Sequence, residues 1–413
     1  MSGRVTSQGW RLFRIAGIPL YIHPSWLLVL PLATLAFLRP LGGHAPAALV
    51  TALLLFGSVL LHELGHSLAA LRLGVPVRSI TLFMLGGVAT IEREPRTALG
   101  SLQVAVAGPL VSLGLALLFG LSIHAISHLQ PLLGLMAEEL ARLNLLLALF
   151  NLLPGLPLDG GQILQALVWQ VSGSRERGVR VSGACGRLLA WMIMSFGLLL
   201  LFRGGSIDSL WLVLIGWFLL GASRSQLQLL TLQKALKDLR VRDAAGRRLR
   251  VLEPSASLRA LSQLRLSSDN PRPDWVLLCD GGRWRGWVDD GALRQVPVQR
   301  WDHETLLSQA RPLDSLPSIP EGAPLWQAVL ALEDSPMARL LVVSPAGLPT
   351  GTLERPEISE AVLTRLALRL PVPLLEQARR QGTYPMGFSL ASIARSIAAL
   401  PEATELGSGS TRG

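Results

Sequence analysis

Six apolar runs, near residues 25–38, 48–71, 102–123, 134–153, 187–202 and 209–223, restrict this chain more than any other feature it has. A helix that crosses a bilayer needs about 20 predominantly apolar residues. The second, third and fourth runs reach that length, and the first, fifth and sixth fall short of it. Lipid offers backbone polar groups no partner, so runs of this kind must be helical. Past about residue 225 the apolar runs stop and charge concentrates. With 50% apolar residues and a mean hydropathy of +0.43, the chain is too greasy for an ordinary soluble protein. The simplest division is a transmembrane domain over 1–225, a soluble domain over 226–372 and an extension over 373–413. The last stretch, "PEATELGSGSTRG", is polar and reads as a disordered tail.

The net charge of +10 comes from arginine, since Lys234 and Lys237 are the only lysines. Arg4, Arg11 and Arg14 precede the first run, and Arg72, Arg78, Arg93 and Arg96 follow the second. Arg175, Arg177, Arg180 and Arg187 follow the fourth, and Arg224 follows the sixth. The other side has only Arg39, Arg142 and Arg203. This alternation orients six spans with both termini in the cytoplasm, so the basic excess calls for a bilayer and not for nucleic acid. Cys185 and Cys279 lie in different halves and imply no disulfide framework. The opening "MSGRVTSQGWRLFRIAG" lacks the apolar core and cleavage site of a signal peptide, which keeps the first run as a span. Between the second and third runs, "VRSITLFMLGGVATIE" alternates apolar and polar residues around Gly86 and Gly87, a hairpin signal. Unpaired strand edges are not tolerated in lipid, so this hairpin belongs at the interface or among helices.

Inside the second run sits "LLHELGHSLAA", residues 60–70. Ionisable groups in a membrane span are costly and functional by default. His62 and His66 are four apart, share a helical face and can grip one cation through two imidazole nitrogens. Glu63 lies beside them, placed to take a proton from a water that bound zinc has acidified and to pass it to a leaving amine. Two histidines leave a zinc site incomplete, and Asp159 in "NLLPGLPLDGG" is the best third ligand. Pro154, Gly155 and Pro157 break the fourth helix just before it. An N-cap role for Asp159 would not explain a helix breaking beside an apolar span. His124 and His128 repeat the spacing but lack a neighbouring acid.

At these residues the sequence resembles the site-2 protease family of intramembrane zinc metalloproteases. "HELGH" and "NLLPGLPLDGG" carry the likeness, with "GIPLYIHPSWLL", "LFMLGGVA" and "VAGPLVS" in support. It covers about residues 10–225 and is closest to bacterial and archaeal members with a C-terminal pair of CBS motifs. The resemblance implies His62, His66 and Asp159 as zinc ligands, Glu63 as catalytic base, and a transmembrane protein as substrate. Asn151 matches the family's asparagine, placed to hold substrate or an oxyanion. Gly86 and Gly87 match a hairpin along which a substrate strand can add. A helical peptide hides its carbonyls and must be extended before water can attack. The implied location is the inner (plasma) membrane of a bacterium.

Beyond residue 225 the pattern becomes helix, strand, strand, helix, and two stretches resemble CBS motifs. They run from "DLRVRDAAGRRLRVL" to "DWVLLCDGGRWRGWVDDGALRQV" and from "LDSLPSIPEGAPLWQAVLAL" to "ARLLVVSPAGLPTGTLERPEI". CBS pairs often bind adenine nucleotides through a hydroxyl residue and an Asp after the strand glycine. Here Asp289 and Ala292 follow Gly286, and Glu354 and Glu357 follow Gly351. Acids facing phosphate repel it, so packing or homodimerisation is expected ahead of nucleotide sensing.

The expected fold is thus a polytopic α-helical membrane protein of about six spans with an interfacial β-hairpin, followed by an α/β CBS-pair domain. A CBS-gated transporter or channel is the alternative, but an ion path would string polar groups across several helices. A catalytically silent binding protein of the same fold would have lost Glu63 or a ligand.

Overall fold

The computed structural model describes residues 9–84, 86–92, 95–204, 207–267, 273–368, 370–385 and 390–398. It forms two compact units, one up to Leu230 and one over Thr231–Ala398.

The first unit opens with β1 (Trp10–Ile15) and β2 (Ile18–Ile22), then α1 (Trp26–Leu38) and α2 (Ala45–Arg72). After β3 (Val77–Phe83) and β4 (Gly86–Ile91) come α3 (Ala98–Leu129), α4 (Pro131–Asn151), α5 (Asp159–Ser172), α6 (Arg175–Phe202) and α7 (Ile207–Asp238). The start and stop signals are local. Thr97 caps α3 by accepting from the Gly100 amide, and Ser174 caps α6 by accepting from that of Arg177. Pro131 opens α4, where its missing N–H costs nothing, and Gly173, with φ 67°, ends α5.

Helices stand at all six apolar runs. Four of them, Ala45–Arg72, Ala98–Leu129, Arg175–Phe202 and Ser209–Asp238, are long and apolar enough to cross a membrane. The 13 residues of α1 fall short of that length, and α4 is interrupted by Glu138, Glu139 and Arg142. Arg142 therefore lies within a helix, paired to Glu139 at 2.5 Å, and not in a connection.

Burial in this unit inverts the usual order. Leu117, Leu118 and Leu121 of α3 face outward, the last 74% exposed, while Thr51, Ser58, His62, Ser112 and Asn144 are buried. Water would punish that arrangement, but lipid does not, because outward leucine costs nothing there and inward polar groups find partners. Asn144 of α4, for instance, donates to Ser58 Oγ of α2 at 3.1 Å.

The four strands form one sheet in the order β1-β2-β3-β4. β2 runs parallel to β3, with Leu20 opposite Ile80, and each end pair is antiparallel. Ile18, Leu20, Ile80 and Leu82 pack this sheet against Val59, Leu60 and Leu64 of α2. The expected hairpin is present, but Gly86 and Gly87 do not form its turn. Phe83 pairs with Gly86 and Leu82 with Gly87, so both glycines open β4. The β1–β2 hairpin was not anticipated.

The second unit contains the last turns of α7, α8 (Val241–Ala244), and two repeats of strand, helix, strand, strand, helix. The first comprises β5 (Leu249–Leu252), α9 (Leu258–Leu266), β6 (Trp275–Asp280), β7 (Arg283–Val288) and α10 (Gly291–Gln295). The second comprises β8 (Ser318–Pro320), α11 (Leu325–Asp334), β9 (Arg339–Val343), β10 (Pro349–Glu354) and α12 (Arg355–Arg365). In each, a parallel pair precedes an antiparallel one. Leu277, Trp287, Leu316 and Leu341 join the two sheets in one core. α13 (Val372–Gln381) and α14 (Leu390–Ala398) follow, with Ser396 of α14 accepting from Gln233 of α7. The stretch expected to be a disordered tail lies outside the described residues.

Candidate metal centre

Helical periodicity brings His62 and His66 onto one buried face of α2, their rings meeting edge to face at 4.9 Å. Asp159 arrives from 97 residues away: its Oδ2 lies 3.1 Å from His62 Nε2 and 3.3 Å from His66 Nε2. The two Nε2 atoms are themselves 3.3 Å apart. Asp159 is the first residue of α5, and Leu158 occupies the N-cap position, so the carboxylate is not spent on capping.

The connection that carries Asp159 is seated by backbone contact. The Leu156 amide donates to the Ser182 carbonyl of α6 at 3.3 Å, and Ser182 Oγ donates to the Gly161 carbonyl at 2.5 Å. A Cβ on Gly155 or Gly186 would strike main-chain atoms across this seam.

The donor set suits a metal ion. Two imidazole nitrogens and a carboxylate oxygen form the one such group of three among the described residues. Ligands about 2.0–2.1 Å from a tetrahedral zinc stand about 3.3 Å from one another, close to the spacings found. Three lone-pair atoms this close repel unless a proton or a metal cation lies among them.

Glu63 lies one position along α2, its carboxylate held by the Ala89 amide of β4, which donates to Oε2 at 3.1 Å. The absent side chain of Gly87 makes room for it, because a Cβ there would overlap Glu63 Cγ. Asn151, at the end of α4, brings Nδ2 within 3.4 Å of His62 Nε2. Gly86, by contrast, has open space where its Cβ would stand, and its φ of 137° suits only glycine. His124 and His128 touch each other at 3.3 Å, but no acid among the described residues joins them. His23 bonds Ser25 at the entrance to α1.

Sequence reasoning missed the contribution of α3. His62 Nδ1 lies 2.9 Å from Ser112 Oγ, and His66 Nδ1 lies 2.7 Å from the Val104 carbonyl oxygen. Both residues fall in or beside "VAGPLVS", where only the overall likeness of the motif drew notice.

In the second unit the acids after the strand glycines have internal partners. Glu354 is sunk in an ion pair with Arg339 at 2.5 Å. Glu357 accepts from the Glu354 amide at 2.9 Å and lies 3.7 Å from Arg248. Burial raises the Glu357 carboxyl to about 7, and neighbouring Glu354 adds to the rise against the pull of Arg248 and Arg339. Asp289 lies 3.4 Å from Arg311.

An HExxH turn and a remote aspartate converging among membrane-type helices define a metal-dependent hydrolase. The model of peptidase family M50 matches residues 50–135 and 132–195. A Synechocystis sp. protein whose name assigns it to the zinc metalloproteases is 33% identical over 376 residues, which span 89% of this chain and 99% of that one. A zinc metalloprotease of Methanocaldococcus jannaschii is 33% identical over 240 residues, 56% of this chain and 65% of that one. The solved site-2 protease from the same archaeon is similar at 29% identity and a TM-score of 0.39, over 53% of this chain and 94% of that one. The CBS domain of a bacterial CNNM/CorC family Mg2+ transporter is similar at 18% identity and a TM-score of 0.28, over 34% of this chain and 97% of that one. The chain belongs to peptidase family M50, the site-2 protease family of membrane zinc metalloproteases.

Proposed function

We propose that this protein hydrolyses a peptide bond within a transmembrane protein substrate, with Glu63 as general base and His62, His66 and Asp159 as zinc ligands. The observation that carries the reading is the convergence of His62 Nε2, His66 Nε2 and Asp159 Oδ2 inside apolar helices, with Glu63 adjoining. Zinc held there would act as a Lewis acid and lower the pKa of water to about 7.

Glu63 takes the proton of the attacking water and delivers it to the departing amine, which moves the proton across the site without exchanging it with bulk solvent. The Ala89 amide holds one carboxylate oxygen and so sets the reach of the other. β4 is the outer strand of its sheet and lies beside Glu63, so a substrate segment unwound from its helix adds along it, past Gly86 and Gly87. Asn151, whose Nδ2 lies 3.4 Å from His62 Nε2, donates to the oxygen on which negative charge develops.

We place the protein in the bilayer of a bacterial plasma membrane with both termini in the cytoplasm, the side on which the arginine-rich loops gather. We read the second unit as a degenerate CBS pair that packs or dimerises and does not sense adenine nucleotide, because the Arg339–Glu354 pair and Glu357 occupy the positions that would face it.

The test compares wild type with Glu63→Gln on a tagged single-span substrate in liposomes, with zinc measured on both. The expected result is full zinc content and cleavage reduced by about 10²- to 10⁴-fold. Cleavage surviving in the mutant overturns the mechanism.

A further inference from the structure

Val104, Gly108 and Ser112 follow one another at intervals of four residues along α3, so they stand in one row on the helix, and all three are buried. Each member of the row meets a histidine of α2. The Val104 carbonyl oxygen can only accept, so the proton of a neutral His66 ring sits on Nδ1 and its lone pair on Nε2. Ser112 Oγ, wholly shielded from solvent, lies against His62 Nδ1. Between them, a Cβ on Gly108 would fall on the Nε2 atoms of both rings.

We infer that this row on α3 sets the aim of both imidazoles and the tautomer of His66, and that Ser112 is the positioning residue for His62. The inference rests on the metal-site reading above and deepens it. An imidazole offers two chemically similar nitrogens, and only a partner at one of them decides which is left to bind a cation. For His66 that partner is main chain, which no substitution removes. For His62 it is a hydroxyl, so one removable atom holds the Nδ1 side of that ring. Gly108 adds the other requirement: the row approaches closely enough to hold the rings because its middle position has no side chain.

The loss of such an orienting partner costs about 10- to 100-fold in metal affinity. The experiment uses the full-length protein in detergent, as wild type, Ser112→Ala, Ser112→Thr and His62→Ala. Zinc affinity is measured by competition with a chelating dye, and the melting temperature is measured on the metal-free proteins. The expected result is that Ser112→Ala binds zinc about 10- to 100-fold more weakly while melting like wild type without metal, and that Ser112→Thr recovers the affinity. Zinc binding by Ser112→Ala equal to wild type overturns the inference. So does a weakening that threonine leaves unrepaired, or one matched by a lower metal-free melting temperature. If wild type binds no more zinc than His62→Ala, it is the metal-site reading that fails.

Discussion

Replacing Gly87 with alanine tests whether the sheet holds the Glu63 carboxylate where the proposed mechanism needs it. The backbone at Gly87 lies outside the positive-φ region that Gly86 occupies at 137°, so β4 accepts an alanine there without strain. The new Cβ would overlap Glu63 Cγ and stand 3.2 Å from Cδ and 3.3 Å from Oε1. Turning the carboxylate alone cannot relieve a clash at Cγ. The whole side chain must swing, which breaks its bond from the Ala89 amide. A hydrogen bond to a charged group contributes about 1.5–3 kcal/mol. Misplacing a reacting group by about 1 Å costs on the order of 10²-fold in rate, or about 2.7 kcal/mol. The two routes agree, so Gly87→Ala is expected to lower kcat about 100-fold. Zinc content, which depends on His62, His66 and Asp159, is expected to hold. Cleavage of the tagged substrate in liposomes gives the rates, and elemental analysis gives the zinc. A kcat within about threefold of wild type, roughly 0.6 kcal/mol, would refute the claim that β4 sets the position of Glu63.

Two further outcomes concern the second unit. Arg339→Met leaves the Glu354 carboxylate, at 2% side-chain exposure, without its ion-pair partner, which costs about 3–5 kcal/mol. Calorimetry of the full chain is expected to show its transition lowered by about 6–20 °C, with the double change to apolar residues recovering most of the loss. Glu357 has its folded-state pKa raised from 4.5 to about 7, so its contribution to stability is present below about pH 4.5 and is lost as pH rises through 7. Wild type is expected to lose stability between about pH 5 and 8 and Glu357→Gln to flatten that slope, which denaturant unfolding across the window reads directly.

The candidate metal site was legible because its chemistry is spelled in side chains at fixed spacing. His62, Glu63 and His66 lie within one turn of α2, and the proline and glycine residues before Asp159 announce a broken helix. What stayed hidden is carried by groups with no letter of their own. The Val104 carbonyl belongs to every residue type, and the emptiness at Gly108 and Gly87 means something only once a histidine or Glu63 is known to lie opposite. Gly86 and Gly87 misled for the same reason, since they serve a close approach and a strained strand start, not a turn. The β1–β2 hairpin escaped because Arg11 and Arg14 had been assigned to membrane orientation, and because its pairing to β3 spans some sixty residues (Leu20 opposite Ile80). The strand-helix-strand-strand order of the second unit could be read from pattern, but the Arg339–Glu354 pair joins residues whose facing depends on strand register.

The bare seam between the Asp159 connection and α6 makes a helix that contributes no ligand into the anvil on which the site is shaped. Main chain rests on main chain there, with nothing compressible between. A single methyl added at Gly155 or Gly186 would strike main chain and press on the connection that carries Asp159. Such a protein can be silenced from positions that never touch its chemistry, and a survey of reactive side chains would pass over them.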